Sequence, residues 1–439
     1  MADSLVSVVN LGCRVNRVES DRISAELVSA GFTLVDPDEA SLVVINTCAV
    51  TGEAEAKTRK AVRHALGRAR RPWVIACGCA ANLHPDMLET LSDRVVVEPS
   101  KVDVVARACS LLGLVNDGDS LDDAVDPHDL ARVLGRSRWG VKVQDGCNNR
   151  CTYCIVWKAR GPERSVPVPA VLDQVRLAER AGVPEVVLTG VNLGAYDGIG
   201  AGDAHVEIDE LVETILQETA IPQLRLSSLE PMDVTDRLLD VMAAHPDRIA
   251  PFLHLPLQSG CSATLARMGR PYTAEEFHDL CLRARRRIPA LALSCDVIVG
   301  FPGETDAEFS ESLAFCRKVG FARMHVFRYS PRPGTAAAAM DDQVPPELKE
   351  ARGRAMRELA RELALADARS RVGTVEFGVV EDSRQVTLGS YHRLRLRGGA
   401  DALPATRVPV AIEAVEDSGE LWGTVAALED AEASEVARG

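Results

Sequence analysis

Gln144-Asp145-Gly146-Cys147-Asn148-Asn149-Arg150-Cys151-Thr152-Tyr153-Cys154 is the stretch on which the reading of this chain turns. Its cysteines stand at a C-x3-C-x2-C spacing, and the whole chain holds 12 cysteines in 439 residues. Three thiolates this close can hold three corners of a cubic iron–sulfur cluster. A cubane has four irons, so one iron keeps no protein ligand and can take a small molecule, as an open zinc position takes water. A zinc knuckle or three buried cysteines are the alternatives. A zinc site calls for a fourth Cys or His nearby, and none follows in the next forty residues.

Downstream of this stretch the chain alternates strand and helix patterns. Apolar runs stand at Val186–Thr189, Leu224–Ser227, Phe252–Leu255, Cys295–Val299 and His325–Phe327, with helical periodicity at Val168–Ala181, Glu207–Gln217 and Thr273–Arg287. Six or so such units predict a full or partial β/α barrel over residues 136–371. Barrel sites gather at strand C-termini. The polar or Gly-bearing turns there are Thr189-Gly190, Ser227 to Pro231, His254 to Gly260 and Gly300 to Thr305.

Upstream, residues 1–115 also alternate, with apolar runs Leu5–Val9, Leu42–Ile45, Val74–Ala76 and Val95–Val97 and helical patterns Glu19–Ala30 and Glu53–Leu66. Such alternation predicts an α/β domain on a parallel sheet, with ligands beyond the carboxyl ends of its strands. Cys13, Cys48 and Cys79 follow three of those strands. They form a second candidate cluster site, against the alternative of ordinary buried cysteines. Cys77 and Cys109 read as core. Residues 116–135 are acidic and read as a linker. Glu347–Arg371 is a strong helix pattern. Beyond it, short alternating strands over 372–430 predict a small OB-like β-barrel, and 431–439 reads as a tail.

The hydrophobic fraction, 46%, supports sizeable cores. No apolar run approaches the ~18 residues of a membrane span. The start, Met1-Ala2-Asp3-Ser4, has no basic stretch ahead of an apolar run, so no secretory leader is expected. Clustered cysteines in a long chain point to metal binding in a reducing, cytoplasmic setting rather than to disulfides. The net charge of −14 opposes nucleic-acid binding overall, but Lys57 to Arg71 and Arg283 to Arg287 are basic runs. Such runs also serve as plain solvated helix faces.

The Cys147/Cys151/Cys154 triplet, with Tyr153 before its last cysteine, resembles the radical S-adenosylmethionine (SAM) enzymes. Taken with Cys13, Cys48 and Cys79 in their Gly12, Asn46-Thr47 and Gly78 contexts, with Leu226 to Pro231, His254 to Gly260 and Asp296 to Thr305, nearly the whole chain resembles the radical-SAM methylthiotransferases. Its last domain resembles their RNA-binding TRAM module. Cys147 to Cys151, Val187 to Asn192 and Asn46 to Thr51 are most similar to the threonylcarbamoyladenosine tRNA branch. Sister enzymes act on isopentenyladenosine tRNA or on an aspartate of a ribosomal protein, and these are the alternatives. Six cysteines in two matching sets argue against a non-catalytic iron–sulfur or RNA-binding module.

The resemblance implies two 4Fe-4S clusters, held by Cys147, Cys151, Cys154 and by Cys13, Cys48, Cys79. It implies SAM, with Tyr153 beside the adenine. Thr189, Gly190, Ser228, Glu230 and Gly300, at the barrel strand ends, are the candidates for its polar groups. The reaction implied is methylthiolation of C2 of the modified adenosine 3′ of the anticodon. Partners are then a tRNA anticodon stem-loop and an electron donor such as flavodoxin or ferredoxin, with no membrane and no DNA. Arg59, Arg63, Arg285 and Arg286 are candidates for RNA backbone contacts. Two departures stand out. Trp157-Lys158 replaces the family's Pro-Tyr before Ala159-Arg160-Gly161. The last domain is acidic, leaving one arginine strip drawn from Arg384, Arg393, Arg395, Arg397 and Arg407.

Overall fold

In the N-terminal region the apolar runs become a five-stranded, all-parallel sheet in the order β2-β1-β3-β4-β5, with β1 Leu5–Asn10, β2 Thr33–Leu34, β3 Leu42–Thr47, β4 Trp73–Gly78 and β5 Val95–Val97. This computed structural model describes residues 4–49, 52–114, 137–382, 384–398 and 404–427. The expected linker 116–135 and tail 431–439 lie outside them. Every residue of β3 is buried, as the centre of a sheet covered on both faces requires. Val6, Leu42, Val44, Ile75 and Cys77 face one layer, packed with helices Arg14–Ser29 and Val104–Leu112. Val43, Ile45, Val74 and Ala76 face the other, packed with helix Gly52–Leu66. Cys77 and Cys109 sit in the first layer as core residues.

The chain divides into two compact units. One takes the described part of residues 1–135 together with Asp145–Glu163 and Ser330–Thr335; the other takes the rest. The triplet loop therefore packs with the N-terminal sheet, although in sequence it follows a barrel strand.

In the second unit six parallel strands follow one another in chain order. Trp139–Lys142, Val186–Thr189 and Leu224–Leu226 pair as one sheet; Phe252–His254, Ala292–Val299 and Arg323–Arg328 pair as another. Bridges Leu224↔Ile249 and Ser228↔His254 join the two sheets. This is a partial β/α barrel. The sequence reading did not name its first strand, Trp139–Lys142, which is short and apolar at only some positions, nor helices Asp236–Ala244 and Asp306–Val319. Helix starts are chemically marked: Thr273 with Glu276, and Thr305 with Glu308, form capping boxes.

Helix Pro346–Ser370 leads into a closed five-stranded barrel. Its strands run Val375–Val380, Gln385–Leu388, Arg393–Leu396, Leu421–Val425 and Arg407–Val415 around the circle. Closure removes the exposed edges that so small a sheet would otherwise present. Arg225 ties this barrel to the larger one. Fully buried, it pairs with Glu185 at 2.8 Å, donates to the Gly389 carbonyl at 2.7 Å and lies over the Tyr391 ring at 4.6 Å.

Candidate active site

In the first unit each N-terminal cysteine stands where a strand hands over to a helix or loop. Cys13 caps helix Arg14–Ser29 after β1, Cys48 follows β3, and Cys79 opens helix Cys79–Leu83 after β4. A parallel sheet sends all its carboxyl ends to one edge, so residues 66 positions apart meet there. Cys13 and Cys79 lie within electrostatic reach of one another. Cys13 is exposed, and Cys48 and Cys79 are buried.

A polar network fixes this edge. Asn16, buried, donates through Nδ2 to Asn46 Oδ1 at 2.9 Å and to the Thr47 carbonyl at 2.8 Å. Its Oδ1 accepts from the Cys13 thiol at 3.4 Å. Asn46 Nδ2 returns a bond to the Asn16 carbonyl at 2.9 Å. Thr47 Oγ1 donates to the Cys77 carbonyl at 2.7 Å and accepts from the Ala80 and Ala81 amides at 3.1 Å, capping the helix that Cys79 opens. The glycines beside these cysteines follow from the crowding. A Cβ on Gly12 would stand 2.4 Å from Asn16 Cγ, and one on Gly78 2.4 Å from Asn46 Oδ1. Gly78 also has φ +91°, a conformation glycine adopts without strain.

The second triplet joins the same network. Its loop closes with Cys147 N–H on the Gly161 carbonyl at 3.2 Å and Cys154 N–H on the Cys151 carbonyl at 3.0 Å. Helix Val156–Arg160 follows and packs on helix Cys79–Leu83, with Ala159 against Ala49, Cys79 and Ala80. Asn82 donates to the Ala159 carbonyl at 3.0 Å. Arg160 donates to Asn16 Oδ1 at 2.7 Å, Asp145 at 2.8 Å and Glu19 at 3.0 Å. Both triplets thus hang on Asn16 and Arg160. The sequence assigned Asn16, Glu19 and Arg160 no role; the signal for Asn16 is a polar residue three positions after Cys13, while Glu19 and Arg160 carry none.

Electrostatics follow from burial. Burial raises the Cys79 thiol, and the Arg160 guanidinium opposes the rise. Burial pushes Cys154 up to about 12, against a donated bond from the Val156 amide. Burial alone would lower Arg160, but Cys79, Glu19 and Asp145 hold it well above its ordinary value, so it stays charged. Buried thiols of this kind become thiolates when a cation stands beside them, which is what an iron cluster supplies. Trp157 carries the Arg150 guanidinium over its ring at 4.1 Å, and Lys158 donates to the Gly334 carbonyl at 2.7 Å. Tyr153 is half-buried in the same loop.

In the second unit the expected SAM residues do stand at strand ends, with their polar groups partly engaged. Thr189 Oγ1 donates to the Val187 carbonyl at 3.1 Å. Gly190 packs on the Gln144 side chain, whose Oε1 accepts from the Val191 and Asn192 amides at 2.9 Å. The Ser228 carbonyl accepts from Leu193 N–H at 3.3 Å. Glu230 is paired with Arg270; burial raises its carboxyl and Arg270 opposes this. The Gly300 N–H is taken by Glu304 at 2.9 Å. Asn192 Oδ1 and Ser227 Oγ, at the same strand ends, are buried without a hydrogen-bond partner among the described residues. Buried orphans of this kind await a ligand or water, and the sequence reading did not single them out.

The basic candidates divide. Arg63 and Arg286 are exposed. Arg59 reaches Met87 Sδ at 3.5 Å. Arg285 is not a free surface cation: its guanidinium binds the Val319 and Gly320 carbonyls, completing the C-terminus of helix Asp306–Val319. In the small barrel Arg393, Arg395 and Arg397 alternate outward along one strand, the residues between them buried. Arg407 is turned away from that strip, donating to Gln223 at 2.9 Å and stacking on Phe377 at 3.9 Å.

Residues 141–316 match the model of the radical SAM superfamily, and residues 5–98 that of the uncharacterized protein family UPF0004. The chain is 35% identical to the threonylcarbamoyladenosine tRNA methylthiotransferase MtaB of Thermotoga maritima, over 82% of each chain. It is 33% identical to the enzyme of the same name from Treponema pallidum, over 93% of this chain and 98% of that one. The chain belongs to the radical-SAM methylthiotransferases. This methylthiotransferase is also 31% identical to the tRNA-2-methylthio-N(6)-dimethylallyladenosine synthase of Bdellovibrio bacteriovorus, over 86% of its own length and 84% of the other's. In fold it is similar to the radical SAM methyltransferase TsrM of Kitasatospora setae, with a TM-score of 0.55 at 15% identity over 77% of each chain. No helix among the described residues of this methylthiotransferase is long and apolar enough to cross a membrane.

Proposed function

We propose that this chain converts N6-threonylcarbamoyladenosine, 3′ of the anticodon in tRNA, to its 2-methylthio derivative. The observation that carries the reading is the convergence of two cysteine triplets on one network, through Asn16 and Arg160. Likeness at 31–35% to four enzymes named for that substrate supports the choice of nucleoside.

In this reading Cys147, Cys151 and Cys154 hold one 4Fe-4S cluster and Cys13, Cys48 and Cys79 the other, each leaving one iron open. Bound there, SAM and the two clusters supply one-electron cleavage of a sulfonium C–S bond and a sulfur for methylation and transfer. An aromatic C–H gives acid–base chemistry little purchase, which fits a radical route. Tyr153 backs the adenine. In the second unit Thr189, Gly190, Ser228, Glu230 and Gly300 are the strand-end candidates for the polar groups of SAM, and the orphaned Asn192 Oδ1 and Ser227 Oγ beside them would be free to take hydrogen bonds. Arg160, held by Glu19 and Asp145, keeps a fixed positive charge beside Cys79. The anticodon loop is single-stranded, so its base can be splayed outward to the site. Arg59, Arg63, Arg286 and the Arg393/Arg395/Arg397 strip contact the RNA backbone, and a small cytoplasmic redox protein such as flavodoxin or ferredoxin delivers the electron.

The test is an anaerobic assay of the reconstituted enzyme on tRNA carrying either threonylcarbamoyladenosine or isopentenyladenosine, read by nucleoside mass spectrometry. The 2-methylthio product is expected from the first alone. Product from the second alone, or from neither, rejects the proposal.

A further inference from the structure

His254, Asp296 and His325 lie on three neighbouring strands of the partial barrel and play no part in the scheme above. The register sets Asp296 directly against His325, and His254 against Ser294. Ser294 and Asp296 alternate with Cys295, which is buried beside Cys281 and Cys316 of the covering helices. Strand alternation therefore turns Asp296 to the inner face of the barrel, with His325 beside it. One ligand atom from each of the three lies within 4.8 Å of the others, and all three residues are half-buried.

The spacing has a chemical meaning. His254 Nε2 stands 3.4 Å from Asp296 Oδ1. That is longer than an ordinary N–H···O bond. It equals the edge, about 3.4 Å, of a tetrahedron built on the 2.0–2.1 Å bonds that nitrogen and oxygen make to zinc. The two imidazoles are tilted 60° with centroids 5.8 Å apart, so they do not stack. Ser294 Oγ lies 3.0 Å from His254 Nδ1, which fixes the ring with Nε2 aimed at the cluster. Metal-binding histidines are oriented in this way, through the nitrogen that does not bind the metal.

We propose that His254, Asp296 and His325 form a site for a divalent first-row transition metal, distinct from the cysteine triplets. Two imidazoles and one carboxylate suit ions of the zinc–iron class and leave coordination positions open. An oxygen ligand such as water, a carbonyl or a carboxylate would complete the shell from inside the barrel. The site stands independently of the tRNA assignment, since a zinc count and a nucleoside product are separate measurements.

Holoenzyme with its clusters reconstituted is dialysed anaerobically against buffered zinc, and zinc and iron are counted together by mass spectrometry. One zinc per chain beyond the iron is expected. Asp296→Asn and His325→Ala should abolish it with iron unchanged, and Ser294→Ala should weaken it roughly 10- to 100-fold. If His325→Ala also loses iron, His325→Gln replaces it and must show the same selective loss. Wild-type protein that takes up no zinc, or variants that take it up as the wild type does, would overturn the site.

Discussion

Asn16 concentrates the energetics of the site in one side chain. It joins the turns that carry Cys13, Cys48 and Cys79 to the guanidinium of Arg160, and its burial means that no water can replace the lost bonds. Asn16→Ala should cost about 2–4 kcal/mol, as the loss of several buried hydrogen bonds around a charged partner does. Chemical denaturation of the apo chain measures this, and an unchanged midpoint would refute the role. His392 supplies a pH effect. Burial first, and then Arg371, depress its pKa below the ordinary 6.5. The native ring therefore stays neutral where the unfolded one takes a proton. Its contribution is present above pH 6.5 and is lost as pH falls through that value toward the folded pKa, at no more than about 1.4 kcal/mol per pH unit. His392→Gln should flatten the acid-side decline in stability by that amount; parallel curves for the two proteins would count against it.

At the scale of elements, the strands of the larger barrel lean on a buried ion pair. Arg225 and Glu185 are both fully buried, and Arg225 also satisfies two carbonyls of the small barrel. Arg225→Met keeps much of the volume but leaves the Glu185 charge uncompensated, a loss of about 3–5 kcal/mol. Arg225→Met together with Glu185→Leu should recover most of it, so a double variant as unstable as the single one would show that packing rather than charge is at stake. The strand Arg393–Leu396 is a second element with a function of its own. Its outward arginines form a row, although Arg395 is paired with Glu420 at 2.7 Å. Replacing Arg393, Arg395 and Arg397 by alanine should reduce the slope of log affinity for tRNA against log salt by about 2–3. An unaltered slope would remove this strip from the RNA surface.

For the whole molecule, the two triplets should be separable in metal content. About eight irons per chain are expected from two cubanes. Replacing Cys147, Cys151 and Cys154 by alanine should leave about four and abolish SAM cleavage; replacing Cys13, Cys48 and Cys79 should also leave about four but spare cleavage of SAM under reduction. Cleavage surviving in the first variant would reverse the assigned roles. The packing of Ala159 on Cys79 and Ala80 couples the two loops, so each variant should shift the electron paramagnetic resonance spectrum of the cluster that remains.

What the sequence determined by itself was periodic or local. Apolar runs and period-3.6 patterns are written in neighbouring residues, so the strands Val95–Val97 and Val186–Thr189 and the helix Pro346–Ser370 were legible almost to the residue. The cysteine spacing of residues 147–154 was legible for the same reason. The tertiary structure alone decided what depends on distant pairings. A parallel sheet brings Cys13, Cys48 and Cys79 to one edge, and only packing could bring Arg160 to Asn16, 144 positions away. Arg285 read as a surface cation because a basic run looks the same whether it faces solvent or closes a helix end; the carbonyls of Val319 and Gly320 settle which. His254 and Asp296 open two of the strand-end motifs read from the sequence, but nothing there joined them to His325, because their spacing in sequence is set by the lengths of the intervening helices, while their spacing in space is set by strand register.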